Sequence, residues 1–207
     1  MTTSTGTTIS SVVLEVDDAA AAEDFYSALG LADQIHVRAS DAPTSGFRGY
    51  TLSLVAAQPA NADALIDAAV DAGATVIKPG KKSLWGYGGV VQAPDGAVWT
   101  VATSSKKDTD PAVLEYDDVV LLLGVEDVKA SKQFYIDHGL RVGKSFGSKY
   151  VEFEAPGQAI KLALYTRRAA AKNAGVDPKG TGSHRIAVLS DGGEFTDPDG
   201  FSWETSE

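Results

Sequence analysis

The sequence predicts an α+β protein built from two related halves, and two recurring words carry that prediction. The first runs Val12-Val13-Leu14-Glu15-Val16-Asp17-Asp18, then Phe25-Tyr26 and Gly30-Leu31. It returns as Leu121-Leu122-Leu123-Gly124-Val125-Glu126-Asp127, Phe134-Tyr135 and Gly139-Leu140, at a constant offset of 109 (127 − 18, 135 − 26, 140 − 31). The second, Pro94-Asp95-Gly96 with Trp99, returns as Pro198-Asp199-Gly200 with Trp203 at an offset of 104 (199 − 95). Two words in the same order at nearly the same distance indicate a duplicated module. The modules are read as residues 9–103 and 118–207, joined by a linker at 104–117.

The elements follow in order. Val12, Leu14 and Val16 alternate with Val13 and Glu15, which predicts a strand over Ile9–Val16. Asp17-Asp18 supplies an N-cap for an alanine-rich helix over 19–29. Ala22, Phe25, Tyr26 and Leu29 fall on one face of it, and Gly30 closes it. Ile35–Ala39 reads as a strand, 41–46 as a loop of turn formers and 48–56 as a strand. Residues 61–72 form the clearest helix, with Ala62, Leu65, Ile66, Ala69 and Val70 on one stripe and Gly73 as its stop. Strands at 75–78, 89–93 and 98–102 complete the half. Ser104-Ser105-Lys106-Lys107-Asp108-Thr109-Asp110-Pro111 lacks any hydrophobic period and is the linker. The second half repeats strand, helix and Gly-Leu. Strands at 141–146, 149–153 and 161–165, a short helix over Arg167–Ala174 stopped by Gly175, and strands at 184–189 and 202–204 follow.

Composition narrows the function. A net charge of −10 argues against a nucleic-acid surface, which needs clustered Lys and Arg. The absence of cysteine excludes disulfides, thiolate nucleophiles and sulfur-ligated metals. No run approaches ~18 consecutive apolar residues, so no membrane span is expected. The polar start, Met1 to Thr8, reads as a frayed tail rather than a signal peptide, which leaves the cytoplasm as the default location.

The order of features is also a family signature. An apolar strand ending in Asp, a helix with Phe-Tyr at its centre, Gly-Leu, several strands, then Pro-Asp-Gly and a final strand resembles the vicinal oxygen chelate superfamily. That group holds glyoxalase I, bleomycin-resistance proteins, fosfomycin-resistance enzymes and extradiol dioxygenases. The resemblance implies two βαβββ-derived halves with mixed, mostly antiparallel cupped sheets and helices on the outside. The halves are unequal. The first has about one strand between its first helix and Tyr50 where a full unit has three, and the second lacks a helix between Leu189 and Phe195.

Metal-dependent members of that superfamily hold an ion with His and carboxylate ligands inside the cup, a set suited to a divalent cation. The resemblance places the first His seven residues before the Asp closing the first strand, here Ser11 (18 − 7) and Val120 (127 − 7). The last-strand Glu follows Pro-Asp-Gly by four, giving Thr100 and Glu204, and the middle His corresponds to Tyr50 and His184. His184 and Glu204 are thus weak metal candidates, or else polar groups lining a pocket. His36 reads as a half-exposed strand residue, and His138 suits the negative end of a helix.

Residues 78–89, Lys-Pro-Gly-Lys-Lys-Ser-Leu-Trp-Gly-Tyr-Gly-Gly, form the most distinctive loop. Trp85 and Tyr87 could stack on a flat ligand, with Lys81 or Lys82 meeting an anionic group; equally, Trp85 could plug a core edge. The glycines lack the Gly-Lys-Ser/Thr ending of a phosphate loop. Tyr150, beside the Phe146-Gly147 turn, is the matching aromatic in the second half. No Ser/His/Asp arrangement is identifiable.

Two functions stay open. The leading one is metal-independent binding or sequestration of a small molecule, similar to the bleomycin-resistance branch, with no cofactor. Its lining candidates are Tyr50, Lys81, Trp85, Tyr87, Tyr150, His184 and Glu204. The rival is a metal-dependent lyase, isomerase or dioxygenase that completes His184 and Glu204 with a borrowed ligand around a divalent ion. The expected partner is a small molecule, not nucleic acid or membrane, and assembly as a homodimer stays open.

Overall fold

Both large sheets cross from one half of the chain to the other. The computed structural model describes residues 6–157 and 159–206. The first half forms β1 (Ile9–Val16), α1 (Ala19–Ala28), β2 (Ile35–Ala39), β3 (Thr44–Gly46), β4 (Tyr50–Val55), α2 (Pro59–Asp71), β5 (Thr75–Ser83), β6 (Gly86–Gln92) and β7 (Val98–Thr103). The second forms β8 (Asp118–Val125), α3 (Val128–Asp137), β9 (Val142–Ser145), β10 (Tyr150–Phe153), β11 (Lys161–Thr166), α4 (Arg167–Ala174), β12 (Gly180–Gly182), β13 (Ile186–Ser190), β14 (Phe195–Thr196) and β15 (Ser202–Thr205). The eight-stranded sheet runs β5-β6-β7-β4-β8-β11-β10-β9 and the five-stranded sheet β14-β15-β13-β1-β2, while β3 pairs with β12.

The complete βαβββ units are β4-α2-β5-β6-β7 and β8-α3-β9-β10-β11, each with its first and last strands parallel. They join through antiparallel β4 and β8. The shortened units expected from the sequence, β1-α1-β2 and β13-β14-β15, join through antiparallel β1 and β13. Exchanging the halves carries one junction onto the other. Leu14 faces Ile186 as Leu123 faces Tyr50, and Val12 faces Val188 as Leu121 faces Leu52. The first strands keep the 109 offset, and β4 and β13 correspond at 136 (186 − 50, 188 − 52).

Local chemistry sets the ends of the helices. Asp18 accepts from the Ala21 N–H at 3.1 Å, and Asp127 accepts from Lys129 and Ala130 at 2.8 and 3.1 Å. Gly175 ends α4 in the left-handed conformation at φ 77°. Ala22, Phe25, Tyr26 and Leu29 are all buried, as the periodicity predicts. Side chains from α1, α2, α3 and the inner faces of both large sheets form one core. Tyr135 bridges the sheets, with ring centroids 5.7 Å from Phe153 on β10 and 5.3 Å from Trp203 on β15. Helix α4 lies instead on the opposite face of the eight-stranded sheet, where Ala170 and Ala171 pack with Leu122 and Ala163. Gly124 permits this approach, because a Cβ there would sit 2.9 Å from the Arg167 Cα.

Several elements differ from expectation. The 41–46 loop contains β3, held by a glycine-rich partner strand whose Gly180 lies against Phe47; such short edge pairing leaves no hydrophobic period to read. The 78–89 loop is mostly the β5–β6 hairpin, whose outer residues are solvated on both faces and so show no alternation. Val70 is 40% exposed rather than part of the buried stripe of α2. Met1–Thr5 of the expected frayed tail lie outside the described residues. Thr7 and Thr8 are not frayed: the Thr7 hydroxyl donates to the His138 carbonyl at 2.6 Å, and the Thr8 N–H to Asp191 at 2.7 Å. The 104–117 segment has no helix or strand but is tied down by Gln58, whose side-chain oxygen accepts from the Thr109 and Asp110 N–H groups at 2.8 and 3.0 Å. Among the described residues no helix is long and apolar enough to cross a membrane.

Candidate functional site

The four central strands of the eight-stranded sheet bring one residue each into a single row. Ser53 on β4 pairs with Thr100 on β7 and Val120 on β8, and Val120 pairs with Lys161 on β11. All four lie on the face that carries α4, since their neighbours Leu52, Trp99, Leu121 and Leu162 point into the core. Thr100 and Val120, placed by counting in different halves, thus share one row. Their neighbours there are Ser53 and Lys161 rather than Tyr50 and Glu204, because the sheet joins units across the linker. The row does not suit a divalent cation: the Ser53 and Thr100 hydroxyls bond each other, Val120 has no donor atom, and the Lys161 ammonium reaches Asp118 at 3.2 Å. Among the described residues no group of three or more His, Asp and Glu could hold an ion.

His184 and Glu204 are not brought together. Glu204 pairs with Leu189 near the far end of β13, whereas His184 precedes that strand, beyond Arg185 at φ 53°. Nδ1 of His184 lies 2.5 Å from the Arg48 carbonyl and Nε2 3.0 Å from the Asp199 carbonyl, so both ring nitrogens are directed at backbone oxygens rather than at an open coordination position. The ring stacks on Phe201 at 3.9 Å. Glu204 instead shares Arg38 with Glu15, at 3.0 and 2.9 Å, on the outward face of the five-stranded sheet.

The 136 offset gives His184 a different counterpart from the expected Tyr50: it corresponds to Arg48 (184 − 48). The two do the same work. Nη2 of Arg48 donates to the Asp95 carbonyl at 2.6 Å, as His184 meets the carbonyl of Asp199, the equivalent aspartate. Around this strut the packing is exchanged, with Tyr50 and Ala97 in the first copy where the second has Ile186 and Phe201. The two copies differ in their surroundings: both nitrogens of His184 face carbonyl oxygens, whereas Nη1 of Arg48 and the hydroxyl of Tyr50 are buried without a hydrogen-bond partner. Burial pushes the Tyr50 hydroxyl well above the usual phenol range, against an opposing effect of the Arg48 charge.

A cavity of about 290 Å³ opens beside this unsatisfied copy. Phe47, Val98 and Val176 give it apolar wall, Arg48 and Tyr50 also contribute to the lining although the unpartnered Nη1 and hydroxyl have no accessible surface, and Lys179 is exposed at its edge. Of the candidates named from sequence, Tyr50 alone lines it. Arg48 went unnoticed because its kinship with His184 shows only in the strand register; no shared sequence word marks it.

The remaining candidates are dispersed. Trp85 is 84% exposed at the β5–β6 tip, with Leu84 beside it at 76%, so the ring plugs no core edge. Tyr87 donates to Asp63 at 2.6 Å, a bond that helps push its hydroxyl up to about 12, and Lys81 and Lys82 are exposed. Tyr150 donates to Glu152 at 2.8 Å and packs on Tyr165 at 4.9 Å. Trp85→Ala is expected to change unfolding free energy by no more than about 0.5 kcal/mol, as for surface sites generally. A urea titration showing a loss above about 2 kcal/mol would mean the ring is buried in solution.

Two βαβββ units joined edge to edge, with a second, shortened pair behind them, define a glyoxalase-like fold. Glyoxalase I from Zea mays superposes with a TM-score of 0.61 at 12% identity, over 95% of this chain and 91% of that one. A putative dioxygenase from Bacillus subtilis superposes with a TM-score of 0.52 at 14% identity, over 88% of this chain and 69% of that one. No family model and no curated protein sequence matches the chain.

Proposed function

We propose that this chain binds a small organic molecule, without a metal ion, in the cavity beside Arg48 and Tyr50. The observation that carries the reading is the cavity itself, about 290 Å³ and walled by Phe47, Val98 and Val176. That apolar wall supplies the contact surface, as in most small-molecule sites. The hydroxyl–valine–lysine row on the central strands supports the metal-independent part.

Native mass spectrometry of the purified protein is expected to show a retained mass that disappears on denaturation. Calorimetric titration with Zn(II), Ni(II), Mn(II) and Fe(II) is expected to show no submicromolar site. A submicromolar site abolished by His184→Ala would overturn this reading in favour of metal-dependent lyase, isomerase or dioxygenase chemistry.

A further inference from the structure

We infer that the β5–β6 hairpin is a peripheral membrane anchor, in which Leu84 and Trp85 enter the interface of a bilayer and nearby lysines select anionic lipid. The cavity plays no part in it; the ground is an exposed apolar tip ringed by cations in an acidic chain. A surface anchor needs no membrane-spanning segment, the absence of which underlies the sequence-based expectation of no membrane partner.

Leu84 is 76% exposed and Trp85 84%, and both stand at the turn of the hairpin. Two adjacent large apolar side chains this exposed form a patch rather than a scattered residue. Lys81 and Lys82 precede them and are exposed. The start of the 104–117 segment packs against the base of the tip, since a Cβ on Gly86 would stand 2.9 Å from the Ser104 Cα. Lys106 and Lys107 follow shortly after, both exposed. Among the described residues none of these four lysines forms an ion pair. They gather around one hairpin of a chain whose net charge is −10. Asp63, Asp67 and Asp108 act on the Tyr87 hydroxyl, on the strand side of the tip, and offset part of that positive charge. Burial of Leu84 and Trp85 therefore supplies the contact, and the lysines set which headgroup is preferred. An indole suits a bilayer interface, where its body meets apolar chains and its N–H meets water; lysine stems lie along the same boundary with their ammonium groups outward. A single-stranded nucleic acid would stack on Trp85 but offer Leu84 no hydrocarbon to enter. Contact between the tips of two copies would set like-charged lysines against each other. The strands β5 and β9 run in opposite directions across the eight-stranded sheet, so the Phe146 turn lies at its other end, away from Trp85.

Vesicles of phosphatidylcholine alone, and of equal parts phosphatidylcholine and phosphatidylserine, test this with the full chain at low salt. Tryptophan emission reports the tip, because Trp99 and Trp203 are each 2% exposed and Trp85 is the remaining tryptophan. The mixed vesicles are expected to sediment the protein and to move its emission to shorter wavelength. Leu84→Ser combined with Trp85→Ala should abolish sedimentation, whereas Phe146→Ala should leave it unchanged. Lys81→Gln combined with Lys82→Gln should weaken binding by about tenfold. Neither pair removes a buried side chain, so loss of binding is not loss of the fold. No sedimentation with the mixed vesicles, or undiminished sedimentation of the Leu84 and Trp85 variant, overturns the anchor. Equal binding to phosphatidylcholine alone overturns the selection of anionic lipid. An emission shift on oligodeoxythymidine but not on vesicles assigns the tip to nucleic acid and overturns the proposal.

Discussion

Tyr135→Ala is expected to cost about 4 kcal/mol of folding stability, from the ~3–5 kcal/mol range for truncating a buried aromatic. Tyr135 has no exposed surface and stands between the two large sheets, edge-on to Phe153 and tilted against Trp203. Its hydroxyl donates to Asp197, whose carboxyl burial already holds above the usual carboxylate range. Truncation therefore opens a void between sheets and removes a donor from a buried acid. Two further donors to Asp197 remain, the Phe201 and Asp199 N–H groups at 2.8 and 3.0 Å, so the acid is not left bare. Tyr135→Phe isolates the second effect and should cost about 1.5–3 kcal/mol, the worth of a hydrogen bond to a charged group. Urea unfolding of the two variants measures both, and a Tyr135→Ala loss below about 1.5 kcal/mol would show that the sheets do not depend on this bridge.

The protein should unfold cooperatively on alkaline titration, with a stability slope of roughly 4 kcal/mol per pH unit. Burial raises the hydroxyls of Tyr26, Tyr50 and Tyr135 above the usual phenol value, and Asp95 and Asp197 add to the first and third. Above pH ~10 the unfolded chain releases these protons while the folded chain keeps them. The unfolded state then binds fewer protons, so stability falls as pH rises; the contribution is complete below pH ~10 and is lost toward the folded-state values. Each such group contributes about 1.4 kcal/mol per pH unit, and three together exhaust a typical stability of ~5–15 kcal/mol within a few units. Tyrosinate absorbance and far-ultraviolet circular dichroism, followed together, test this. Ionisation of all seven tyrosines ahead of any loss of secondary structure would falsify it.

The sequence by itself determined the duplication, the strand-helix-Gly-Leu openings and the loss of a different piece from each half. These are local matters: a 109-residue repeat, capping aspartates at Asp18 and Asp127, and helical or strand periodicity lie along the chain. Trp85 looked like a pocket residue because an aromatic among glycines is conspicuous in a sequence, yet its exposure is set by the hairpin that carries it away from the sheet. Only the tertiary structure decided which units pair. Because β4 joins β8 and β1 joins β13, Thr100 and Val120 meet in one row, His184 and Glu204 part, and Arg48 becomes the counterpart of His184. The reason is physical. Strand register is chosen by burial of whole sheet faces between distant segments, and neither Arg48 nor Ala97 carries a word that announces its neighbour.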